Sequence, residues 1–221
     1  MTKTTTLIAG FAALLLGNAA MAATTAAAPA SASAYESGET VEMKYDASAA
    51  EASAKPFRAG SCKLQIAPTV DARQNKETVG QWMKGALLVG DIAPWMNEGL
   101  SHLRDFGYAV SMTNADTAPA TDGVTIHASV TRAYTWQIGL KIFSMVVVKA
   151  EFLDRNGVLQ QKYYRAHGDK TNMWGAKDEY VTTLNYGLNN LLPFVARDLQ
   201  SLCKGQKVDA YSNAGPDGLP Q

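Results

Sequence analysis

Apolar and polar positions alternate or recur with a clear period over most of residues 60–203. Lys63 to Val70 alternates, with Leu64 and Ile66 on one face, which predicts a strand. Gln81 to Val89 follows neither period and reads as a short helical or irregular lead-in. Ile92, Trp95, Met96, Gly99, Leu100, Leu103 and Phe106 then recur at helical spacing. Asp91 stands in front as an N-cap, because its carboxylate can accept first-turn amides. Gly107 is the natural stop, since a left-handed residue closes a helix without steric cost there. Tyr108 to Thr113 resumes as a strand. Val124, Ile126, Ala128 and Val130 alternate with polar neighbours, the mark of a half-buried strand.

Leu140 to Leu153 is a long apolar strand, and Val158 to His167 is another. Asn156-Gly157 between them is a hairpin signal, because both residues tolerate positive φ. Gly139 marks a turn or a kink before the long strand. From about Ala176, Val181, Leu184, Leu188, Leu191, Leu192, Val195, Leu199 and Leu202 step by three and four, which makes a long amphipathic helix. Pro193 inside it removes one backbone donor and is expected to kink it. The expected order is βαββββα. It corresponds to an α+β two-layer sandwich: a mainly antiparallel sheet of about five strands with two helices on one face.

The flanks follow other rules. Lys3, an apolar run from Leu7 to Leu16 and the small-x-small box Ala20-Met21-Ala22 form a secretory signal peptide over 1–22, cut between Ala22 and Ala23. The run is too short to cross ~30 Å of hydrocarbon. No later segment is both long and apolar enough, so no transmembrane span is expected. Residues 23–59 are rich in Ala, Ser and Thr. They carry little large apolar surface to offset ordering entropy, and a disordered spacer is expected. The Gly- and Pro-bearing tail 204–221 is expected to be disordered too. One domain remains, 60–203.

Composition narrows the function classes. Twenty basic residues balance twenty acidic ones, so bulk charge offers no reason to expect nucleic acid. Export places the chain in an oxidising compartment, most simply a bacterial periplasm, where a disulfide can persist. Cys62 and Cys203 flank the domain, and a bond between them would tie the first strand to the last helix. Closing such a loop contributes roughly 4–5 kcal/mol in the chain-entropy model. Free thiols and a redox pair are the alternatives, but a redox pair normally sits close in sequence as C-x-x-C.

Catalytic signatures are missing. His102, His127 and His167 have no metal-ligand spacing. Gly60-Ser61-Cys62 precedes a strand instead of following one, so it is no nucleophile elbow. Gly80, Gly85 and Gly90 are too widely spaced for a phosphate loop, and no cofactor is expected. A hydrolase would need a base beside a nucleophile, for instance His127 or His167 with Ser129 or Asp169. A small apolar ligand would need a pocket between the long helix and the sheet, lined by Phe143, Met145 and helix leucines. Trp136 and Trp174 fall at strand or loop ends and are candidates for a partner surface.

Two short motifs carry a resemblance. Val70-Asp71-Ala72-Arg73, with Val79-Gly80 after it, precedes a helix ending Leu103-Arg104-Asp105-Phe106-Gly107-Tyr108. Together with the element order from Cys62 to Cys203, this resembles the YajG-like lipoproteins. More distantly it is similar to auxiliary envelope lipoproteins of ABC-type transport systems and to the LptE-like fold. The resemblance implies a non-catalytic envelope protein that binds or scaffolds an envelope protein or lipid component. Asp71 and Arg73 carry over as a pair closing a strand end, with Gly80 and Gly107 as backbone positions. The lipobox cysteine of such lipoproteins is lacking, so the mature chain would be periplasmic and without a lipid anchor.

Overall fold

The computed structural model describes residues 38–49, 58, 62–83, 85–114, 117–118, 120–153, 157, 159–172 and 175–208. In chain order they form β1 (Gly38–Thr40), β2 (Lys63–Ile66), β3 (Val70–Asp71), β4 (Thr78–Trp82), β5 (Gly85–Leu88), α1 (Ala93–Ser101), β6 (Ala109–Met112), β7 (Gly123–Ile138), β8 (Lys141–Leu153), β9 (Leu159–Thr171) and α2 (Asp178–Cys203). The cleavage position Ala22/Ala23, Trp174 and tail residues 209–221 lie outside the described residues.

β7 is the spine of a nine-stranded mixed sheet. One edge pairs antiparallel with β8, and β8 pairs antiparallel with β9. The other edge takes β2, β3 and β4 in succession, all parallel, at Gly123–Ile126, Ser129–Val130 and Thr135. β6 adds parallel to β2. β5 and β1 extend the sheet from β4.

The expected five-stranded, mainly antiparallel sheet is therefore corrected. β4 and β5 make a hairpin where an irregular lead-in is predicted. They are five and four residues long, too short for alternation to register. The predicted strand Lys63–Val70 is two strands with Pro68 between them, because proline offers the ladder no amide. Parallel pairing arises because α1 and its following 3-10 turn carry the chain back before β6, so β6 and β2 run the same way.

The expected spacer also contains structure. β1 pairs with β5, and Val41, Tyr45 and Ala49 are buried. Asn185 and Asn189 of α2 hold this strap. The Asn185 amide donates to the Lys44 carbonyl at 3.0 Å, and that of Asn189 donates to the Asp46 carbonyl at 2.9 Å. Asn185 also accepts the Trp95 indole N–H at 2.8 Å, which joins α1 to α2.

Asp91 lies one residue ahead of the cap position of α1, and its Oδ1 accepts the Ala93 amide at 2.9 Å. A 3-10 turn, His102–Phe106, continues the helix to Gly107, whose φ of 97° ends it. α2 continues through Pro193 to Cys203. Cys203 is bonded to Cys62, with Cα atoms 5.9 Å apart.

The core lies between α2 and one face of β7–β9. Leu184, Leu188, Leu191, Leu192, Val195 and Leu199 meet Ile142, Val146, Val148, Ala150 and Phe152. Full burial of such side chains contributes about 1.5–3 kcal/mol each. Helix and sheet touch directly: Ser144 Oγ donates to the Thr183 carbonyl at 2.6 Å. A Cβ on Gly168 would come within 2.5 Å of that carbonyl, so glycine is what permits the approach. Asp198 ties the edge strand to α2, accepting Tyr164 Oη at 2.6 Å and Lys162 Nζ at 2.8 Å. Phe143 and Met145 alternate out of phase with the buried Ile142, Ser144 and Val146. They stand on the helix-free face, so the apolar pocket expected between helix and sheet does not form around them.

Candidate functional site

A single inserted residue organises the helix-free face. The register of β7 against β8 shifts between Val130 and Arg132, leaving Thr131 as a bulge. Before it, the even-numbered Val124, Ile126, Ala128 and Val130 point to the core. After it, the odd-numbered Ala133 and Thr135 do. Arg132, Tyr134, Trp136 and Ile138 are thereby turned to the helix-free side. β8 carries no such shift, so three cross-strand rows form there: Arg132–Val147–Arg165, Tyr134–Met145–His167 and Trp136–Phe143–Asp169.

The rings form a ladder. Tyr134 and Trp136 stack at 6.4 Å between centroids, and Trp136 and Phe143 at 5.7 Å, with planes within 20° of parallel. Val147 is wholly buried despite facing away from the helices, and the two arginines flank it in register. Arginine stems cover apolar surface while the guanidinium stays wet. Beside the bulge lies an open cleft of about 260 Å³ lined by Arg73, Asn75, Thr78, Thr131, Arg132 and Tyr134.

Arg73 and Asp71 have an internal assignment. Arg73 Nε and Nη2 grip both Asp71 oxygens at 2.9 and 2.8 Å. Its remaining donors reach the Thr78 and Lys76 carbonyls, both at 2.9 Å. Burial pushes the Asp71 carboxyl up, but the hydrogen bonds and charge of Arg73 outweigh this and hold it below its ordinary value. The pair fastens the loop between β3 and β4 and leaves Arg73 little for a ligand. Gly80 is equally structural: a Cβ there would clash with Thr135, whose hydroxyl donates to the Val79 carbonyl at 2.8 Å.

The proposed hydrolytic groups do not assemble. His127 stands opposite Glu151, and Ser129 opposite Lys149. Lys149 and Glu151 pair with each other at 2.7 Å, which raises the lysine's pKa. Asp169 is bound to Lys141 at 2.8 Å. His167 lies next to Met145; desolvation first, then the Arg165 charge, lower its pKa and favour the neutral ring. Among the described residues, no three His, Cys, Asp or Glu side chains converge as metal ligands.

Of the two tryptophans expected at a partner surface, Trp136 is on this face and half-buried, while Trp174 is outside the described residues. Next to the latter, the Gly175 carbonyl accepts the Trp82 indole at 2.7 Å. Sequence reasoning missed the bulge and with it the alignment of Arg132 and Tyr134 with Trp136 on one face. The cue was present: continued alternation from Val124 to Val130 puts a charged Arg132 in the core, which only a register shift avoids.

No protein-family model and no curated protein matches the chain. The resemblance to YajG-like lipoproteins is therefore confirmed by neither comparison. Solved structures to which the chain is similar include protein XCC0632 from Xanthomonas campestris, of the DUF330 family. It is 10% identical over 76% of this chain and 96% of that one, with a TM-score of 0.46. The hypothetical protein CT253 from Chlamydia trachomatis is 8% identical over 66% and 100%, with a TM-score of 0.42. A minor lipoprotein from Acinetobacter baumannii is 11% identical over 62% and 90%, with a TM-score of 0.35.

Proposed function

We propose that this chain is an exported, non-enzymatic accessory protein of the bacterial cell envelope. It acts by contact with another envelope component across the helix-free face of β7–β9. The observation that carries this reading is the Thr131 bulge, which turns Arg132, Tyr134 and Trp136 out of the core into one aromatic and cationic surface beside an open cleft. Bulges recur where a strand must re-aim side chains toward a partner or ligand. Export is supported by the leader-like residues 1–22 and by a bonded Cys62–Cys203 pair, which an oxidising compartment preserves. Among the described residues, no helix is long and apolar enough to cross a membrane.

The test is site-specific photocrosslinking in intact cells. A photoreactive residue at position 132 is expected to yield a discrete adduct. One at Glu98, exposed on the helical side, is expected to yield none. The same adducts from both positions, or none from either, would remove the assignment.

A further inference from the structure

Three large apolar side chains are more exposed than any others among the described residues: Met83 at 76%, and Ile138 and Leu140 at 66% each. They lie far apart in sequence, yet the register brings them to one end of the sheet. Gly80 stands opposite Thr135 in parallel strands, so Met83 and Ile138, each three residues on, leave the sheet together. Leu140 follows Ile138 in the β7–β8 turn, and its carbonyl accepts the Asn172 amide at 2.7 Å, which binds the end of β9 to the same place. Met83 is also the described non-glycine residue with a positive φ, 54°. Glycine or asparagine takes that conformation more cheaply. A methionine held there and left in solvent contributes nothing to the fold it strains.

We infer that this end of the sheet is a lipid-contacting tip, which seats Met83, Ile138 and Leu140 in the surface of a bilayer. The exposure and layering of this end choose the partner. The three side chains stand at two turns at one end of the sheet and are left in solvent. A fluid acyl layer accommodates such separate apolar side chains, whereas a protein partner needs a matching hollow. Behind Ile138 come Trp136 and Tyr134, two and four residues back on the same face, or roughly 7 and 13 Å at ~3.3 Å per residue. Lys141 stands opposite Ile138 at the turn and is paired with Asp169. An aliphatic tip followed by an aromatic layer matches the order from hydrocarbon to interface. The area argues against a second copy of this chain. Three such side chains supply on the order of 400 Å², against ~800 Å² per partner in a standard interface.

The inference goes beyond the proposed function, since its contact is made by the end of the sheet, although it shares Tyr134 and Trp136 with the face beside the bulge. The experiment is co-sedimentation of the mature chain with vesicles of phosphatidylcholine, alone and mixed with phosphatidylglycerol. Wild type is expected to sediment with both. The combined Met83→Ser, Ile138→Ser and Leu140→Ser variant is expected to lose roughly tenfold or more in partitioning. Its thermal melt should match wild type, because the three side chains are exposed. Failure of wild type to bind either vesicle, or equal binding by the variant, overturns the inference. So does concentration-dependent self-association that the variant abolishes, which would make the occupant a second copy. Arg132→Glu separates the two proposals. It should keep vesicle binding, so a chain that binds vesicles but gives no adduct from position 132 defeats the face reading alone.

Discussion

The two halves of β7 make opposite use of the same strand. From Gly123 to Val130 the even residues are apolar and buried, and the odd ones stand away from the helices. From Arg132 to Ile138 the phase is reversed, and the residues turned away from the helices are cationic, aromatic and finally aliphatic. Both halves give one face to the core and one edge to parallel strands, β2 and β3 beside the first and β4 beside the second. The second half presents chemistry. One unpaired residue, Thr131, separates them, because side chains alternate with a period of two and an insertion inverts every position after it.

The sharpest way to break this contrast is Ala133→Arg. The bulge turns Ala133 to the core, where it is buried, whereas unbroken alternation from Val130 would point it outward. An unpaired buried charge costs about 3–5 kcal/mol, so urea unfolding should show at least that loss or an unfolded chain. Full retention of stability would mean the bulge does not set the phase. Next in size is Leu188→Ala on the helix side, where the residue is wholly buried. Its cavity should cost about 2–5 kcal/mol in the same measurement, while crosslinking from position 132 persists in the fraction that folds.

Asp71→Asn should cost about 3 kcal/mol, because it removes the charge opposite the buried Arg73 guanidinium and one of the two oxygens that accept from it. It also changes the pH dependence. Asp71 has a folded-state pKa below its unfolded one, so the unfolded chain binds more protons in the window between them. The pair's contribution is complete above the ordinary carboxylate range and is lost as pH falls through the lowered value. Stability profiles of wild type and Asp71→Asn should converge on acidification. The smallest expected effect on folding is Trp136→Ala. It removes two ring contacts, worth about 1–2 kcal/mol together, yet it should abolish the adduct from position 132. Loss of stability without loss of the adduct would make the ring ladder purely structural.

Much of this arrangement was readable beforehand, and the misses share a cause. The long helix could be placed because thirteen of its residues are buried at helical spacing over 26 positions, and the β7–β8–β9 meander because its strands run for 13 residues or more. Gly107 was readable as a stop because a left-handed residue has few other uses there. β1, β4 and β5 were not, since their three to five residues carry no alternation of apolar and polar positions. The strap Gly38–Ala49 was hidden by its composition; its partners lie far along the chain, in β5 and in Asn185 and Asn189 of α2.

By itself the sequence determined the leader-like start, the apolar faces of α1 and α2, the meander, and the absence of recognisable catalytic spacing. These are local properties, written in neighbouring residues and in short periods. The tertiary structure alone decided that the sheet is mixed, that Asp71 and Arg73 are committed to each other, and that Arg132, Tyr134 and Trp136 face outward. It alone also brought Met83 alongside Ile138. Each of these depends on which strand lies beside which and in what register, and pairing between distant segments leaves no period in the chain that makes it.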